Sequence, residues 1–165
     1  MRLEKRSVFL SKPILVIYYS WSGATERAAQ AIAKVQQADV VRLTVAADTF
    51  AADMFVTSDI AQKQLATGAL PALTNALPNF NDYATILVGG PVWSAKVATP
   101  VRSLLTHLET FTGTVAPFYT DAGNAGDYET DFAGLVQRAT VKPGLECHAG
   151  QSAAAIKSWL QAVET

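Results

Sequence analysis

The chain has 165 residues, half of them hydrophobic and 16% charged, with 13 Lys+Arg against 14 Asp+Glu for a net charge of −1. That length and apolar content suit one α/β domain with a sizeable core and exclude a disordered or low-complexity chain. The charge balance does not point to nucleic acid or an anionic membrane as partner, and the single Cys147 excludes a disulfide framework or multi-cysteine metal site and suits a reducing cytoplasm.

Residues 1–13 carry Arg2, Lys5, Arg6 and Lys12 around the short apolar pair Phe9-Leu10. They contain no signal-peptide core, and no apolar run in the chain approaches membrane-spanning length. They read as an N-terminal extension, poorly ordered or packed at an edge, with residues 14–165 as the single domain. Ile14 to Tyr19 is an apolar run that reads as the first strand. The loop Ser20-Trp21-Ser22-Gly23-Ala24-Thr25 follows. Ala28, Ala31, Ile32 and Val35 then recur at helical spacing and lay one apolar stripe along a helix. Val40 to Leu43 looks like a second strand. Residues 44–82 form a long crossover, in which Thr57-Ser58 caps a helix through Ile60, Ala61 and Leu65 that Gly68 and Pro71 end.

Thr85 to Gly90 is a second run without polar alternation, as expected of a central strand buried on both faces. After Pro91-Val92-Trp93-Ser94, Thr99-Pro100 reads as a helix cap followed by proline, with Val97, Val101, Leu104, Leu105 and Leu108 as the buried stripe. Val115 to Tyr119 is a fourth strand, its proline tolerable near an edge or a bend. The loop from Thr120 to Gly126 leads to a helix marked by Tyr128, Phe132, Leu135, Val136 and Ala139. Gly144 to His148 is a short last strand, and Ser152 starts a final helix facing inward through Ile156, Trp159, Leu160 and Val163. This alternation predicts a three-layer, doubly wound, five-stranded parallel sheet of order 2-1-3-4-5. In that order the loops after strands one, three and four converge on one crevice.

The first of those loops carries the most chemistry. A loop feeding a helix N-terminus presents unpaired N–H groups and the positive end of the helix dipole, which together suit an anion. Ser20, Ser22 and Thr25 add hydroxyls, and Gly23 admits close approach of the backbone. The loop has no Gly-Lys-Ser/Thr ending and no G-x-G-x-x-G, so neither nucleotide fingerprint is present. The plain alternative is an N-capping turn with Ser22 or Thr25 as the cap.

Ser20, Ser22, Gly23 and Thr25 resemble the [TS]-x-[TS]-G-x-T phosphate loop of the flavodoxin family. Gly89-Gly90-Pro91-Val92-Trp93 is similar to the family's Gly-x-Pro-x-Trp after strand three, and Thr120 to Asp127 looks like its glycine-containing loop after strand four. The resemblance covers residues 14–164. It implies FMN as cofactor, held by Ser20, Trp21, Ser22, Gly23, Ala24 and Thr25 at the phosphate. At the ring it implies Pro91, Val92, Trp93 and Ser94 on one side and Thr120, Asp121, Ala122, Gly123, Asn124 and Gly126 on the other. Trp93 is the expected apolar wall, and N–H groups around Gly123, Asn124 and Gly126 are expected at the pyrimidine edge. Many carriers of the family are strongly acidic and place an aromatic in the loop after strand four. Here the charge is near zero and that loop is small and polar, with Tyr128 as a substitute.

Other residues read more plainly. His107 complements a helix dipole, Cys147-His148 is a buried thiol beside a histidine with no metal spacing, and loop Asp121 satisfies a turn. With no catalytic constellation in the sequence, the chemistry belongs to the cofactor. The expected function is electron transfer through bound FMN, with a redox protein or a quinone as partner. The alternatives are an NAD(P)H-dependent flavin or quinone reductase on the same fold and a non-redox module for another phosphate ligand.

Overall fold

The two apolar runs lie side by side at the centre of the sheet. In a computed structural model describing residues 13–149 and 151–165, β1 (Ile14–Tyr18) pairs in parallel with β3 (Thr85–Trp93), Val16 opposite Leu87 and Tyr18 opposite Gly89. The N-terminal extension, apart from Pro13, lies outside the described residues. On one flank β2 (Asp39–Arg42) pairs with β1, and on the other β5 (Thr114–Thr120) pairs with β3. Two short pieces, β6 (Thr140–Val141) and β7 (Leu145–Cys147), pair in parallel with the two ends of β5. The path β2-β1-β3-β5 followed by this divided edge is the expected order, with its fifth strand in two pieces.

Pro117 accounts for the division. It sits inside β5 with no N–H to offer, and the edge strand breaks opposite it. The chain passes the break as Lys142-Pro143-Gly144, so close that a Cβ on Gly144 would lie 2.8 Å from the Pro117 carbonyl oxygen. The short strand expected over 144–148 is found at Leu145–Cys147, and Thr140–Val141 is a further piece of the same edge.

Alternate residues of the central strands feed two cores. Leu15, Ile17, Ile86, Val88 and Val115 pack with Val101, Leu104 and Leu105 of α3 (Thr99–Thr106) and with Tyr128 and Phe132 of α4 (Tyr128–Leu135). Val16, Tyr18, Leu87, Ala116 and Phe118 pack on the opposite face against α1 (Ala24–Gln36) and α5 (Ala153–Glu164). The inward stripe of α5 is Ile156, Trp159, Leu160 and Val163, as its spacing predicts. Each such fully buried aliphatic side chain contributes about 1.5–3 kcal/mol relative to exposure. Gly89 and Gly90 keep β3 thin where the layers close on it. A Cβ on Gly89 would lie 2.1 Å from the Phe118 ring, and one on Gly90 would lie 2.6 Å from Val101.

Helix ends depart from the sequence reading where a polar side chain has a better partner. Helix α2 (Met54–Thr67) is capped by Asp53, whose carboxylate accepts from Phe55 N (2.8 Å) and Val56 N (3.0 Å). Thr57, read as a cap, lies inside the helix and uses its hydroxyl on Ala51. The cap position of α3 is Ala98, and Thr99 instead donates to Gln64 Oε1 at 2.6 Å, tying α3 to α2. Helix α4 stops at Leu135, and Val136 and Ala139 pack onto the core from beyond its end.

Candidate functional site

Parallel pairing brings the carboxyl ends of β1, β3 and β5 to one edge, with Pro91 in register with Thr120. The first loop there is braced from within. Ser20 is buried, and its Oγ accepts from Gly23 N (3.1 Å) and Glu26 N (3.2 Å). Gly23 itself occupies the cap position of α1 at φ 100, a conformation that favours glycine. Neither Ser22 nor Thr25 is therefore the cap. Thr25 is 1% exposed, and its hydroxyl lies 2.8 Å from that of Thr120, joining the first loop to the end of β5. The N–H groups of Ser22, Ala24 and Thr25 have no acceptor among the described residues, and they stand at the positive end of a 13-residue helix.

Two cations flank this loop. Arg42 holds its outer side, with Nη1 3.1 Å from Glu26 Oε1 and Nη2 donating to the Ser20 carbonyl at 3.4 Å. Arg27 lies beside Gly23, where a Cβ would sit 3.3 Å from its Nη1. It lies outside the loop motif, which contains no lysine. The available signal was an arginine four residues after the glycine, within the first turns of the helix.

The stretch from Pro91 to Ser94 is not a loose loop. Strand β3 runs on through Trp93 and turns back into β4 (Lys96–Val97), with Val92 opposite Val97 and Trp93 opposite Lys96. The two turn residues, Ser94 and Ala95, have φ 52 and 63, as a tight hairpin twist requires. Because neither is glycine or asparagine, the usual hairpin signal is missing from the sequence. The hairpin is held from behind by Asp131, which accepts from Val97 N at 2.9 Å and forms a close ion pair with Arg102. Gly126, at φ 56, lets the next loop press on Ala95, where a Cβ would lie 2.4 Å away. Trp93 packs edge-on against Phe50 and Tyr19 at 5.1 and 5.9 Å between ring centroids. Burial pushes the Tyr19 phenol up to about 12, so it stays neutral. Trp21 is anchored through Nε1, which donates to the Ala51 carbonyl at 3.1 Å.

In the third loop, Asp121 Oδ1 accepts from Gly123 N (2.7 Å) and Asn124 Oδ1 accepts from Gly126 N (2.9 Å). The Gly123 and Gly126 N–H groups, two of the three expected at a ring edge, are thus spent on local turns. A correction concerns Tyr128, which is 1% exposed and stacked on Tyr119 at 4.5 Å, so it cannot cover a ligand. Asp121 Oδ2 is buried and has no hydrogen-bond partner among the described residues. The neighbouring Glu146 supplies one when protonated, and this contact, followed by desolvation, raises its carboxyl above the usual range. Burial pushes the Cys147 thiol up to about 12, as expected of an inert thiol.

The three loops enclose a cleft of about 360 Å³. Trp21, Ser22, Ala24, Pro91, Val92, Trp93, Ser94, Thr120, Asp121 and Ala122 line it. Ser20, Gly23 and Thr25 stand behind the lining, and Gly123, Asn124 and Gly126 do not reach it. Met54, Phe55, Thr57 and Ser58 from α2 complete the wall, and the sequence reading missed them. Among the described residues no three His, Cys, Asp or Glu side chains form a metal-binding group, and no helix is long and apolar enough to cross a membrane.

A family model described as flavodoxin matches residues 13–163. The flavoprotein of Lactobacillus acidophilus, solved in complex with FMN, is 31% identical, with 91% of this chain and 99% of that chain covered at a TM-score of 0.80. The apo-form of the flavoprotein from the same organism is 34% identical over 82% of this chain and 93% of that one, with a TM-score of 0.64. A Bacteroides eggerthii structure at 21% identity covers 94% and 99% with a TM-score of 0.82, a likeness of fold. A search of curated protein sequences finds no match.

Proposed function

The chain belongs to the flavodoxin family, and we propose that it binds FMN in this cleft and carries electrons through it. The observation that supports this reading best is the convergence of an anion-binding helix start, an aromatic hairpin and a small polar loop on one cleft. The similar Lactobacillus acidophilus flavoprotein was solved with FMN bound. When bound, FMN supplies reversible one- and two-electron chemistry.

This chain's residues fit that group. The N–H groups of Ser22, Ala24 and Thr25, the Ser22 hydroxyl and the dipole of α1 would hold a phosphate, with Arg27 beside them as a cation. Each hydrogen bond to a charged acceptor is worth about 1.5–3 kcal/mol. Ser20 and Thr25 would act by holding the loop in shape, since their hydroxyls already bond to Gly23, Glu26 and Thr120. Pro91, Val92 and Trp93 would border the flavin ring on one side and Thr120, Asp121 and Ala122 on the other, excluding water from it.

The chain carries no nicotinamide fingerprint. A redox protein or a quinone in the cytoplasm therefore suits it as partner better than NAD(P)H. Titration with FMN and riboflavin tests the binding: FMN binds much more tightly if the phosphate is recognised, and equal affinities remove that assignment. Stopped-flow mixing of the FMN-loaded protein with NADH and NADPH tests the carrier reading. Slow bleaching is expected, and rapid, saturable bleaching by either nucleotide would make the protein a reductase.

A further inference from the structure

Resting on the FMN reading, we propose that the first turn of α2, through Met54 and Phe55, forms the outer wall against which the flavin ring packs. Three consecutive apolar side chains are exposed there: Met54 at 58%, Phe55 at 78% and Val56 at 48%. The fold does not use them, because the buried residues of α2 are Thr57 and Ala61. Met54 and Phe55 line the same cleft as Trp93 and Ser22.

Their presentation is rigid. Asp53 accepts from the Phe55 and Val56 N–H groups and fixes the helix start. The Ala51 carbonyl, two residues earlier, accepts from both the Thr57 hydroxyl (2.8 Å) and Trp21 Nε1 (3.1 Å). The turn carrying Phe55 is thereby bonded to the loop proposed to hold the phosphate. A ligand with an anionic tail at Ser22 and a flat apolar ring in the same cleft would meet Phe55 at its outer face. The loop from Thr120 to Gly126 has no aromatic side chain, and Tyr128 is enclosed in the core, so neither provides such a wall. Stacking on a ring would remove from water the most exposed large hydrophobic side chain among the described residues.

The experiment compares wild type, Phe55→Ala and Phe55→Leu in titrations with FMN and with riboflavin. A ring contact weakens both ligands by the same factor, roughly tenfold for Phe55→Ala and less for Phe55→Leu, leaving the FMN-to-riboflavin ratio unchanged. The FMN-free proteins should melt together, because Phe55 lies outside the core. In a Met54→Cys variant, alkylation of the new thiol should slow with saturating FMN or riboflavin and not with inorganic phosphate. If wild type binds FMN and Phe55→Ala binds it within twofold of wild type, the wall is overturned and the FMN reading stands. Weakening of FMN alone, with riboflavin unchanged, also overturns the wall, because the effect would then run through the phosphate. Failure of wild type to bind FMN overturns the underlying reading and the wall with it.

Discussion

Replacing Thr120 by valine tests the bond that joins two of the three site loops. The Thr25 and Thr120 hydroxyls lie 2.8 Å apart, but their surroundings differ: Thr25 is 1% exposed, while Thr120 is half-buried at the cleft. A hydrogen bond between neutral groups contributes about 0.5–1.5 kcal/mol net, whereas a buried polar group left without a partner costs about 1–3 kcal/mol. Thr25→Val leaves behind a hydroxyl that can turn to water, so it should cost about 1 kcal/mol. Thr120→Val strands the enclosed Thr25 hydroxyl and should cost more, up to about 3 kcal/mol. In a domain of this size 1 kcal/mol moves the melting temperature by roughly 2–4 °C. The double variant removes the stranded hydroxyl too, so it should melt above Thr120→Val and close to Thr25→Val. Thermal and urea unfolding of the four FMN-free proteins, followed by circular dichroism, completes the cycle. A double variant whose loss equals the sum of the single losses would refute the pairing.

Ser22→Ala should weaken FMN roughly ten- to a hundredfold in calorimetric titration and leave riboflavin unchanged, since the exposed Ser22 hydroxyl is proposed to meet the phosphate. Gly89→Ala would put a Cβ 2.1 Å from the Phe118 ring, and such overpacking should lower stability by about 1–3 kcal/mol or more; an unchanged urea midpoint would contradict that contact. Glu146 has a raised folded-state pKa, so its stabilising contribution is full below its unfolded value and is lost as pH rises through the folded one. Asp121→Asn removes the first cause of that shift, so the variant should melt above wild type at pH 7, with the gap closing near pH 4; a gap that is the same at both pH values would rule out the carboxyl pair.

The sheet was legible in the sequence because hydrophobic patterning reports burial directly. Ile14 to Tyr19 and Thr85 to Gly90 lack polar alternation since both of their faces are covered, and Ile156, Trp159, Leu160 and Val163 recur at helical spacing since one face is. Boundaries were less legible because a cap is a competition among neighbouring polar side chains. Thr57 has a capping residue's chemistry, yet its hydroxyl is taken by Ala51 while Asp53 caps the helix. The hairpin from Val92 to Val97 was hidden for a related reason. Its turn uses Ser94 and Ala95 in a left-handed conformation, and the restraint comes from Gly126 and Asp131, about thirty residues on, rather than from turn residues.

The site shows the same limit at greater range. Motif reading identified Ser20, Ser22 and Thr25 as three hydroxyls of one kind, and the structure divides them by partner. Ser20 bonds within its own loop, Thr25 bonds to a residue 95 positions away, and Ser22 is exposed at the cleft. A pattern of spacing cannot make that division, because the partner that distinguishes Thr25 comes from a different strand. The consequence is thermodynamic. If the loop that binds phosphate is held in place by Thr120 on β5, phosphate binding and retention of the Thr25–Thr120 bond favour the same conformation. Saturating FMN should then recover part of the stability lost in Thr120→Val, because a ligand that binds only the folded state adds RT ln(1 + [L]/Kd) to its stability. The recovery should fall short of the gain in wild type by RT times the logarithm of the factor through which the variant's Kd has risen, so affinity and melting temperature together report one coupling.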